Sequence, residues 1–262
     1  MKPQPPGGEF RPYPYLPDLD GADLREYLGR LDARARRGLD RGPAVALARR
    51  VMSPAARDWV KLNATVLAAP SARRRARRML ESGGPIRLNL GSGPLPIEGW
   101  TSVDIFGMGA DVTWDLRRGV PFRDESVDAV FLEHVLEHFR IEDVLDVLVE
   151  CRRVLVPGGI VRIGVPDFGR YMESYAGAPD FIESVRPGRP TRLLAVAEVA
   201  LRHGHRSVWD GATLEAVLTE AGFVDARRRS FRDSDLDPPP DTPEREPETV
   251  YAEARKASAA AR

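Results

Sequence analysis

The sequence IRLNLGSGPLPIEGWTSVDI, at residues 86–105, decides the fold. A short apolar run ends in a glycine-rich turn, and a second apolar run, at residues 100–103, ends in the acid Asp104. This order predicts a strand–turn–helix–strand unit. Gly91 and Gly93 lack side chains, so that backbone can lie against a ligand. A carboxylate at the tip of the second strand can accept hydrogen bonds from a ribose diol. The stretch therefore indicates a site for a nucleotide-like ligand.

The composition is that of a globular protein with a substantial core. The chain has 262 residues, of which 42% are hydrophobic and 30% are charged, which suits one large domain or one domain with an extension. A single cysteine, Cys151, excludes an internal disulfide framework and fits a reducing compartment. Residues 1–10 are polar and rich in proline, unlike a signal peptide. No run approaches the roughly 20 apolar residues of a membrane span, so we expect a cytoplasmic protein without membrane contact.

Positive charge is concentrated in the first third of the chain. Residues 1–82 hold 17 basic and 9 acidic residues, and the remainder has the opposite excess, so that the net charge is zero. The sharpest run is RRRARR at residues 73–78. This run is either a solvated helix face or a surface for an anionic substrate or a nucleic acid. No aromatic residue is interleaved with these arginines, which disfavours stacking on nucleic-acid bases. A small-molecule substrate is favoured.

Three segments are predicted along the chain. Residues 1–20 are rich in proline and predict an extended arm. Residues 21–84 predict a helical segment that covers the active-site cleft and recognises the substrate, and residues 85–262 predict the catalytic core, after the break Gly83-Gly84-Pro85. The helices predicted in the second segment span residues 22–37, 43–52, 54–68 and 71–81.

From residue 86 onward strands and helices alternate, which predicts a mainly parallel sheet. The predicted parallel strands are residues 86–90, 100–105, 111–114, 127–132 and 160–165. The predicted helices are residues 141–156, 191–202 and 210–221. A final strand pair is predicted at residues 223–231 and 249–256, and the proline-rich loop between them is expected to form a second lip of the cleft.

The order of short motifs between residues 85 and 256 is more specific than any one of them. These motifs are LNLGSG, VDI, DL with VPF, SVDAVFLEHVLEH, RRVLVPGG with VRIGVPD, GATLEAVLTEAGF and TVYAEARK. Together they resemble the class I S-adenosylmethionine-dependent methyltransferases. The resemblance implies a Rossmann-like α/β fold with a doubly wound, seven-stranded sheet whose last strand is antiparallel. Its ligands are expected outside the carboxyl ends of the parallel strands.

The resemblance also implies which residues hold S-adenosylmethionine. The glycine turn would line the methionine part, Asp104 and the residue after it would hold the ribose and adenine, and Asp115 and its neighbour would meet the adenine edge. The end of the fourth strand would lie near the sulfonium and the transferred methyl group. The residues carried over are Gly91, Ser92, Gly93, Asp104, Ile105, Asp115, Leu116, Leu132 and Glu133.

The glycine motif departs from the usual pattern of that family. Asn89 stands where the family has an acid, and Pro94 and Leu95 stand where a third glycine is usual. Asn89 can still accept a hydrogen bond from an ammonium group, but without charge. A nicotinamide-dependent dehydrogenase is disfavoured, because the third glycine of G-x-G-x-x-G is missing.

The chain's histidines lie in two clusters, and three of them are candidate catalytic residues: His134, His138 and His205. Methyl transfer to a hydroxyl needs a nucleophile held close to the methyl carbon and removal of a proton. Histidine titrates near neutral pH and suits a general base. We expect His138 or His134 to take this role in O-methylation of a small molecule, within a biosynthetic pathway.

The histidines also fit roles other than that of a base. The segment H-x-x-E-H resembles the E-x-x-E-H element of metal-dependent O-methyltransferases, which implies a divalent metal held by His134, Glu137, His138 and His205. The same spelling occurs in zinc proteases, but its place after a parallel strand argues against that class. The histidines could also only pack at the cleft rim. Two further classes of protein stay open: a nucleic-acid methyltransferase and a non-catalytic cofactor-binding protein.

Overall fold

A computed structural model describes residues 23–37, 51–94, 96–105, 109–177 and 180–258. The extended arm predicted at residues 1–20 lies outside the described residues, as does most of the helix predicted at residues 43–52.

The protein is built around one seven-stranded sheet. Its strands are β1 Arg87–Leu90, β2 Thr101–Asp104, β3 Val112–Thr113, β4 Val127–Glu133, β5 Leu155–Pro166, β6 Val224–Arg229 and β7 Thr249–Arg255. They lie in the order β3-β2-β1-β4-β5-β7-β6. The first five strands pair in parallel, whereas β7 is antiparallel to both β5 and β6. The predicted fold class, a doubly wound sheet with an antiparallel last strand, is confirmed.

Helices pack against this sheet. They are α1 Leu24–Arg37, α2 Pro54–Glu81, α3 Ile141–Val154, α4 Phe168–Tyr175, α5 Phe181–Val185, α6 Arg192–Leu201 and α7 Gly211–Glu220, with 3-10 turns at Leu136–His138 and Pro243–Glu248. The sequence did not predict α4 and α5. These two short helices bury Tyr171, Phe181 and Ile182 in a small second core with α6. This second core lies beside the end of β5.

The connection between β1 and β2 differs from the prediction. A strand–turn–helix–strand unit was expected, but residues 91–94 and 96–100 contain no helix. The prolines Pro94 and Pro96 cannot continue the hydrogen-bond ladder of a helix interior, and Gly99 follows with φ of +77°. The chain therefore crosses from β1 to β2 through an irregular loop.

Helix α2 covers the sheet near this short connection. It is a single helix of 28 residues that contains Pro70, and not the two helices predicted at residues 54–68 and 71–81. Ser53 caps it by accepting a hydrogen bond from the Ala56 amide. Ala72 and Ala76 are buried in the same hydrophobic core as strands β1 to β5. Packing against the sheet on the far side of Pro70 outweighs the local cost of a proline inside a helix.

Strand β5 begins earlier than predicted. The segment Pro157-Gly158-Gly159 was expected to separate helix and strand, but β5 starts at Leu155, directly after α3. The register between β4 and β5 shifts at this point. A Cβ on Gly159 would lie 3.1 Å from the carbonyl oxygen of Asp128, so glycine permits a close approach of the two strands.

The connection from β6 to β7 is tied to the sheet by a fully buried arginine. Arg162 on β5 donates two hydrogen bonds of 2.5 Å to the carboxylate of Asp241. It also donates to the carbonyl oxygens of Ser230 and Asp233. A bidentate pair with further backbone acceptors satisfies the buried guanidinium. Residues 232–248 are thus held against the strands in a fixed conformation.

Candidate active site at the carboxyl ends of the strands

The glycine turn after β1 closes onto the end of β2. The Gly93 amide donates to Asp104 Oδ2 at 2.7 Å, and the Ile105 amide donates to Asp104 Oδ1 at 2.6 Å. Gly91 has φ of +69°, and a Cβ there would lie 2.5 Å from Val135. Gly93 has φ of +59° and open space where a Cβ would stand. The turn therefore brings Gly93, Asp104 and Ile105 together beside open space, as a binding cradle requires.

The remaining residues predicted at the adenosyl end lie on the same edge of the sheet. Asp115 follows β3 and is nearly buried, and its carboxylate accepts two hydrogen bonds from the Arg117 guanidinium, at 2.9 and 3.0 Å. Leu116 is buried in the main core. Ser92 is half-buried, and its hydroxyl donates to the Gly93 carbonyl oxygen at 3.2 Å.

Two further predicted residues, at the end of β4, are buried inside the protein. Leu132 is fully enclosed in the main core. Glu133 Oε1 accepts hydrogen bonds from the Thr242 amide at 3.1 Å and from the Tyr251 hydroxyl at 2.8 Å. Arg245 lies 3.8 Å from Glu133 Oε2. Burial raises the pKa of Glu133, and the contacts with Thr242, Arg245 and Tyr251 oppose that rise. This carboxylate is anchored to β7 and its preceding turn.

Glu137, His138 and His205 form a cluster beyond the end of β4. One ligand atom from each lies within 4.8 Å of the other two. The rings of His138 and His205 are 5.0 Å apart and nearly perpendicular. His205 Nδ1 lies 2.6 Å from the Val199 carbonyl oxygen, so this nitrogen donates, and Nε2 keeps its lone pair. His205 Nε2 lies 3.9 Å from Glu137 Oε1.

Burial shifts the pKa values of the titratable groups in this cluster. Among the described residues, neither carboxylate oxygen of Glu137 has a hydrogen-bond partner. Burial raises the pKa of Glu137 to about 8, the nearby carboxyl groups of Glu133 and Glu248 add to this rise, and the charge of Arg245 opposes it. Burial, together with the nearby His205, lowers the pKa of His138 to about 4. Both imidazoles are therefore neutral at pH 7, with lone pairs available to a proton or a cation.

His134 is near Glu137 but does not join the group of three potential ligands. Its Nε2 lies 2.8 Å from the Thr249 hydroxyl oxygen, and its Nδ1 lies 3.7 Å from Glu137 Oε1. Burial and the charge of Arg245 lower its pKa. Its backbone has φ of +55°, a conformation that costs a non-glycine residue of order 1 kcal/mol. The structure thus groups Glu137 with His138 and His205, and it places His134 between that group and β7.

A crevice too small to hold a water molecule adjoins the cluster on the side of α4 and α6. Apolar and aromatic side chains form most of its wall, and Glu137 and His205 close one side. The residues that line it are Glu137, Pro166, Phe168, Val199, His205, Ser207, Val208 and Trp209.

A buried ionic network lies behind this crevice, and no sequence motif indicated it. The Tyr171 hydroxyl donates to Glu248 Oε2 at 2.5 Å, and Arg186 lies 2.9 Å from the same oxygen. Tyr27 on α1 donates to Glu198 Oε1 on α6 at 2.8 Å. These residues come from distant parts of the chain, so no local spacing reveals them. The network fixes α1, α6 and the turn before β7 relative to one another.

Comparisons with known proteins give a consistent class. Residues 110–163 match the family model described as a methyltransferase domain. No curated protein matches the chain. Among the described residues, no helix has the length and hydropathy needed to cross a bilayer.

Many solved structures are similar at low identity. A SAM-dependent methyltransferase from Archaeoglobus fulgidus is 16% identical, with 72% of this chain and 94% of that chain covered and a TM-score of 0.43. A methyltransferase from Mesorhizobium loti is 21% identical, with 69% and 97% covered and a TM-score of 0.39. The Haemonchus contortus phosphoethanolamine N-methyltransferase 2 in complex with S-adenosyl-L-methionine is 15% identical, with 67% and 49% covered and a TM-score of 0.42.

The sheet places the candidate ligand residues at the carboxyl ends of its parallel strands, as the resemblance seen in the sequence implies. The methyltransferase-domain match spans β3, β4, α3 and most of β5. The fold is the one that the sequence predicts, and the match to a methyltransferase domain agrees with the class of protein that the sequence resembles.

Proposed function

We propose that the protein transfers the methyl group of S-adenosylmethionine to a hydroxyl oxygen of a small-molecule acceptor, beside Glu137, His138 and His205. The observation that carries this proposal is the Glu137 carboxylate, which is buried without a hydrogen-bond partner among the described residues and faces two neutral imidazoles. Burying such a group without partners costs several kcal/mol of folding free energy. Its presence therefore suggests that it serves a function. A hydroxyl is a poor nucleophile until its proton is removed, and a cation held by this cluster would favour the loss of that proton.

We assign the cofactor to the residues that the sequence indicated. Gly91, Ser92 and Gly93 would hold the methionine part, and Asp104 with Ile105 would hold the ribose and the adenine. The open space at Gly93 and the fixed carboxylate of Asp104 support this assignment. Asp115 and Leu116 would lie at the adenine edge. Leu132 and Glu133 would support the wall near the sulfonium, through the backbone at the end of β4.

The cluster fits a divalent metal better than a lone imidazole base. A carboxylate and two histidines are a common ligand set for first-row transition metals, and the orphaned Glu137 oxygens are the atoms that a cation would satisfy. When bound, a cation would supply a Lewis acid that lowers the pKa of an acceptor hydroxyl. With its pKa lowered to about 4, His138 is a weak general base at neutral pH. A direct role of His138 or His134 as base is the second way to take the same proton.

The acceptor is proposed to be an apolar molecule that carries a hydroxyl group. Phe168, Val199 and Trp209 lie beside Glu137 around a crevice too small to hold a water molecule, so they would form an apolar wall for an aromatic or alicyclic body once the side chains around the crevice move apart. Helix α1 is tied to α6 through Tyr27 and Glu198. We therefore propose that α1 supports the wall of the acceptor site, as part of the predicted substrate-recognition segment.

Metal analysis combined with methyl transfer tests this proposal. The purified protein is loaded with manganese, iron, zinc or magnesium, and transfer from radiolabelled S-adenosylmethionine is followed on a panel of phenols and alcohols. We expect the wild type to bind metal stoichiometrically. Glu137→Gln and His205→Gln should lose this metal, and their transfer rates should fall at least about 100-fold. Calorimetry should show unchanged binding of S-adenosylmethionine, because these residues lie outside the glycine turn.

A histidine of the same loop provides the matched control. His203 is exposed and lies outside the cluster, so His203→Gln should retain metal and rate. Full activity of the metal-free protein, together with loss of activity in His138→Gln alone, would favour the imidazole base. Methyl transfer to amines but to none of the hydroxyl acceptors would refute O-methylation.

A further inference from the structure

A cleft of about 410 Å³ lies on the flank of the sheet, between α2 and the connection from β3 to β4. Its far wall is the end of α3. The lining residues come from three separate parts of the chain, and none of them is assigned above to cofactor, acceptor or metal. The residues that decide its chemistry are Arg73, Arg77, Arg118, Arg123, Arg153 and Trp114.

The five arginines of this cleft are only partly neutralised. Arg153 pairs with Glu150 at 2.8 Å and with Asp124 at 2.7 Å. Arg77 lies 3.5 Å from Glu81. Within the part of the chain that the structure describes, no carboxylate lies within ion-pair distance of the other three guanidinium groups, which belong to Arg73, Arg118 and Arg123. The cleft thus holds about three uncompensated positive charges.

The floor of the cleft is apolar and rigid. Trp114, Val120 and Phe122 are buried in the main core and present their edges to the cleft. The Trp114 indole N–H donates to the Gly119 carbonyl oxygen at 2.8 Å, which fixes the ring. Arg73 lies over that ring, 5.4 Å from its centroid. A ligand that combines an anionic group with an apolar body would match both the walls and the floor.

This cleft is distant from the cluster at Glu137. Helix α3 begins at Ile141, just after the cluster, and Arg153 lies twelve residues further along it, which corresponds to about 18 Å at the rise of an α-helix. The Arg153 carbonyl oxygen accepts a hydrogen bond from the Glu125 amide, in the turn that leads into β4. The cleft therefore extends from Trp114, just after β3 and next to Asp115, toward the turn that leads into β4, away from the cluster at Glu137.

We propose that this cleft is a second binding site, for an organic phosphate monoester with an apolar or aromatic body. Guanidinium groups match phosphate oxygens with paired hydrogen bonds, and about three free positive charges exceed what a monoanion needs. The volume lies in the range of small-molecule pockets. A nucleic acid is the less favoured occupant, because Trp114, the aromatic ring beneath Arg73, is nearly buried and cannot stack on successive bases.

Calorimetry with matched small probes tests the proposal. Phenyl phosphate carries both the anion and the ring, inorganic phosphate carries the anion alone, and benzyl alcohol carries the ring without charge. We expect saturable binding of phenyl phosphate, about tenfold weaker binding of inorganic phosphate, and no measurable binding of benzyl alcohol. Absence of saturable phenyl phosphate binding would overturn the proposal.

Paired variants of α2 show where the ligand binds. Arg73→Gln/Arg77→Gln changes two lining residues, whereas Arg74→Gln/Arg78→Gln makes the same charge change on exposed residues of the same helix that do not line the cleft. The first variant should weaken the binding of phenyl phosphate at least about tenfold, and so should Arg118→Gln/Arg123→Gln on the opposite wall. The second should change the affinity less than about twofold. Equal weakening in both α2 variants would mean a diffuse charge effect and would refute a built site.

The Trp114 indole provides a local signal that does not depend on the arginine variants. Its N–H resonance, assigned by Trp114→Phe, should shift as phenyl phosphate saturates the protein, while the indole of Trp209 near Glu137 should not. A shift of Trp209 alone would place the ligand in the active site and contradict the proposal. Tighter binding of a short RNA than of phenyl phosphate, lost equally in both α2 variants, would also contradict it.

Discussion

Glu133 and Glu137 lie four residues apart in the sequence, and both are buried. They differ in their hydrogen-bond partners. Glu133 accepts hydrogen bonds from the Thr242 amide and the Tyr251 hydroxyl, and Arg245 stands nearby. Glu137 has no hydrogen-bond partner for either oxygen among the described residues. The first carboxylate helps to hold β4, β7 and the intervening turn together. The second contributes no such contact.

The difference shows how a structural acid can be distinguished from a functional one. A buried polar group with several partners is explained by the fold. A buried carboxyl that has none, beside two neutral imidazoles, is not explained by the contacts of the fold, and the proposed function accounts for it. Changes to either glutamate, or to a third buried group, test this contrast.

The largest expected effect is on catalysis by Glu137→Gln. This change keeps the shape of the side chain and removes the carboxylate that would bind a cation, so we expect methyl transfer to fall at least about 100-fold. The thermal midpoint of the metal-free protein should stay the same or rise, because an acid whose ionised form is costly in the interior is replaced by a neutral amide. Steady-state assays and thermal unfolding measure the two effects. A fall in the midpoint with normal activity would reverse the assignment of Glu137.

The next effect is on stability, and it concerns the other glutamate. Glu133→Ala leaves the Tyr251 hydroxyl and the Thr242 amide without their acceptor, which we expect to cost roughly 2–3 kcal/mol of unfolding free energy. Urea unfolding provides the measurement, with Glu142→Ala, an exposed glutamate on α3, as control. A loss no larger than that of Glu142→Ala would show that the contacts of Glu133 contribute little.

The pH dependence of the unfolding free energy reports the protonation of Glu137. Its pKa rises from 4.5 in the unfolded chain to about 8 in the folded protein, so the folded state holds this proton more tightly. Its contribution to stability is therefore full below pH 4.5 and declines as the pH rises toward 8, by up to about 1.4 kcal/mol per pH unit. Glu137→Gln removes this titration. With chelator present, the variant should gain stability over the wild type between pH 5.5 and 8, as measured by urea unfolding.

If the stability difference between wild type and Glu137→Gln were the same at both ends of this pH range, the side chain would not be a neutral buried acid. The experiment needs no substrate, and it is independent of which acceptor the enzyme uses.

The smallest effect is expected at Cys151, a buried ionisable group without catalytic neighbours. Burial in α3 raises the pKa of its thiol to about 12, so the thiol remains neutral throughout the physiological pH range and is a poor nucleophile. A thiol reagent should react only as fast as the protein unfolds, and Cys151→Ala should leave the pH profile of activity unchanged. Rapid labelling of the native protein would show that this part of α3 opens.

The positions of the parallel strands along the chain were predictable because apolar runs end in recognisable motifs. The runs around LNLGSG, VDI and FLEHVLEH carry both the hydrophobic period and the terminal residues that fix position in the sheet. Pro94 and Pro96 disfavour a helix after β1. The prediction followed the strand–turn–helix–strand pattern instead and was wrong at this point. The unbroken α2 was not predictable from Pro70, because burial of Ala72 and Ala76 decides it.

The site was predictable in part for the same reason. His138 and Glu137 are adjacent in one motif, and His205 was indicated through the resemblance to metal-dependent relatives. The partners of Glu133 are more than 100 residues distant in sequence, and no local spacing encodes such contacts. The separation of His134 from the other histidines depends on its positive φ and on Thr249, which appear only in three dimensions.

The docking of α2 on the sheet has a consequence for any attempt to shorten the protein. A chain that starts at Gly84 would lose Ala72 and Ala76 from the main core and would bare the neighbouring apolar faces of β1 and β3 to water. We expect such a fragment to aggregate, even though every proposed cofactor residue would still be present. The chain changes direction at the glycine pair before β1, but the hydrophobic core includes residues on both sides of it. Cutting there would therefore divide a single core.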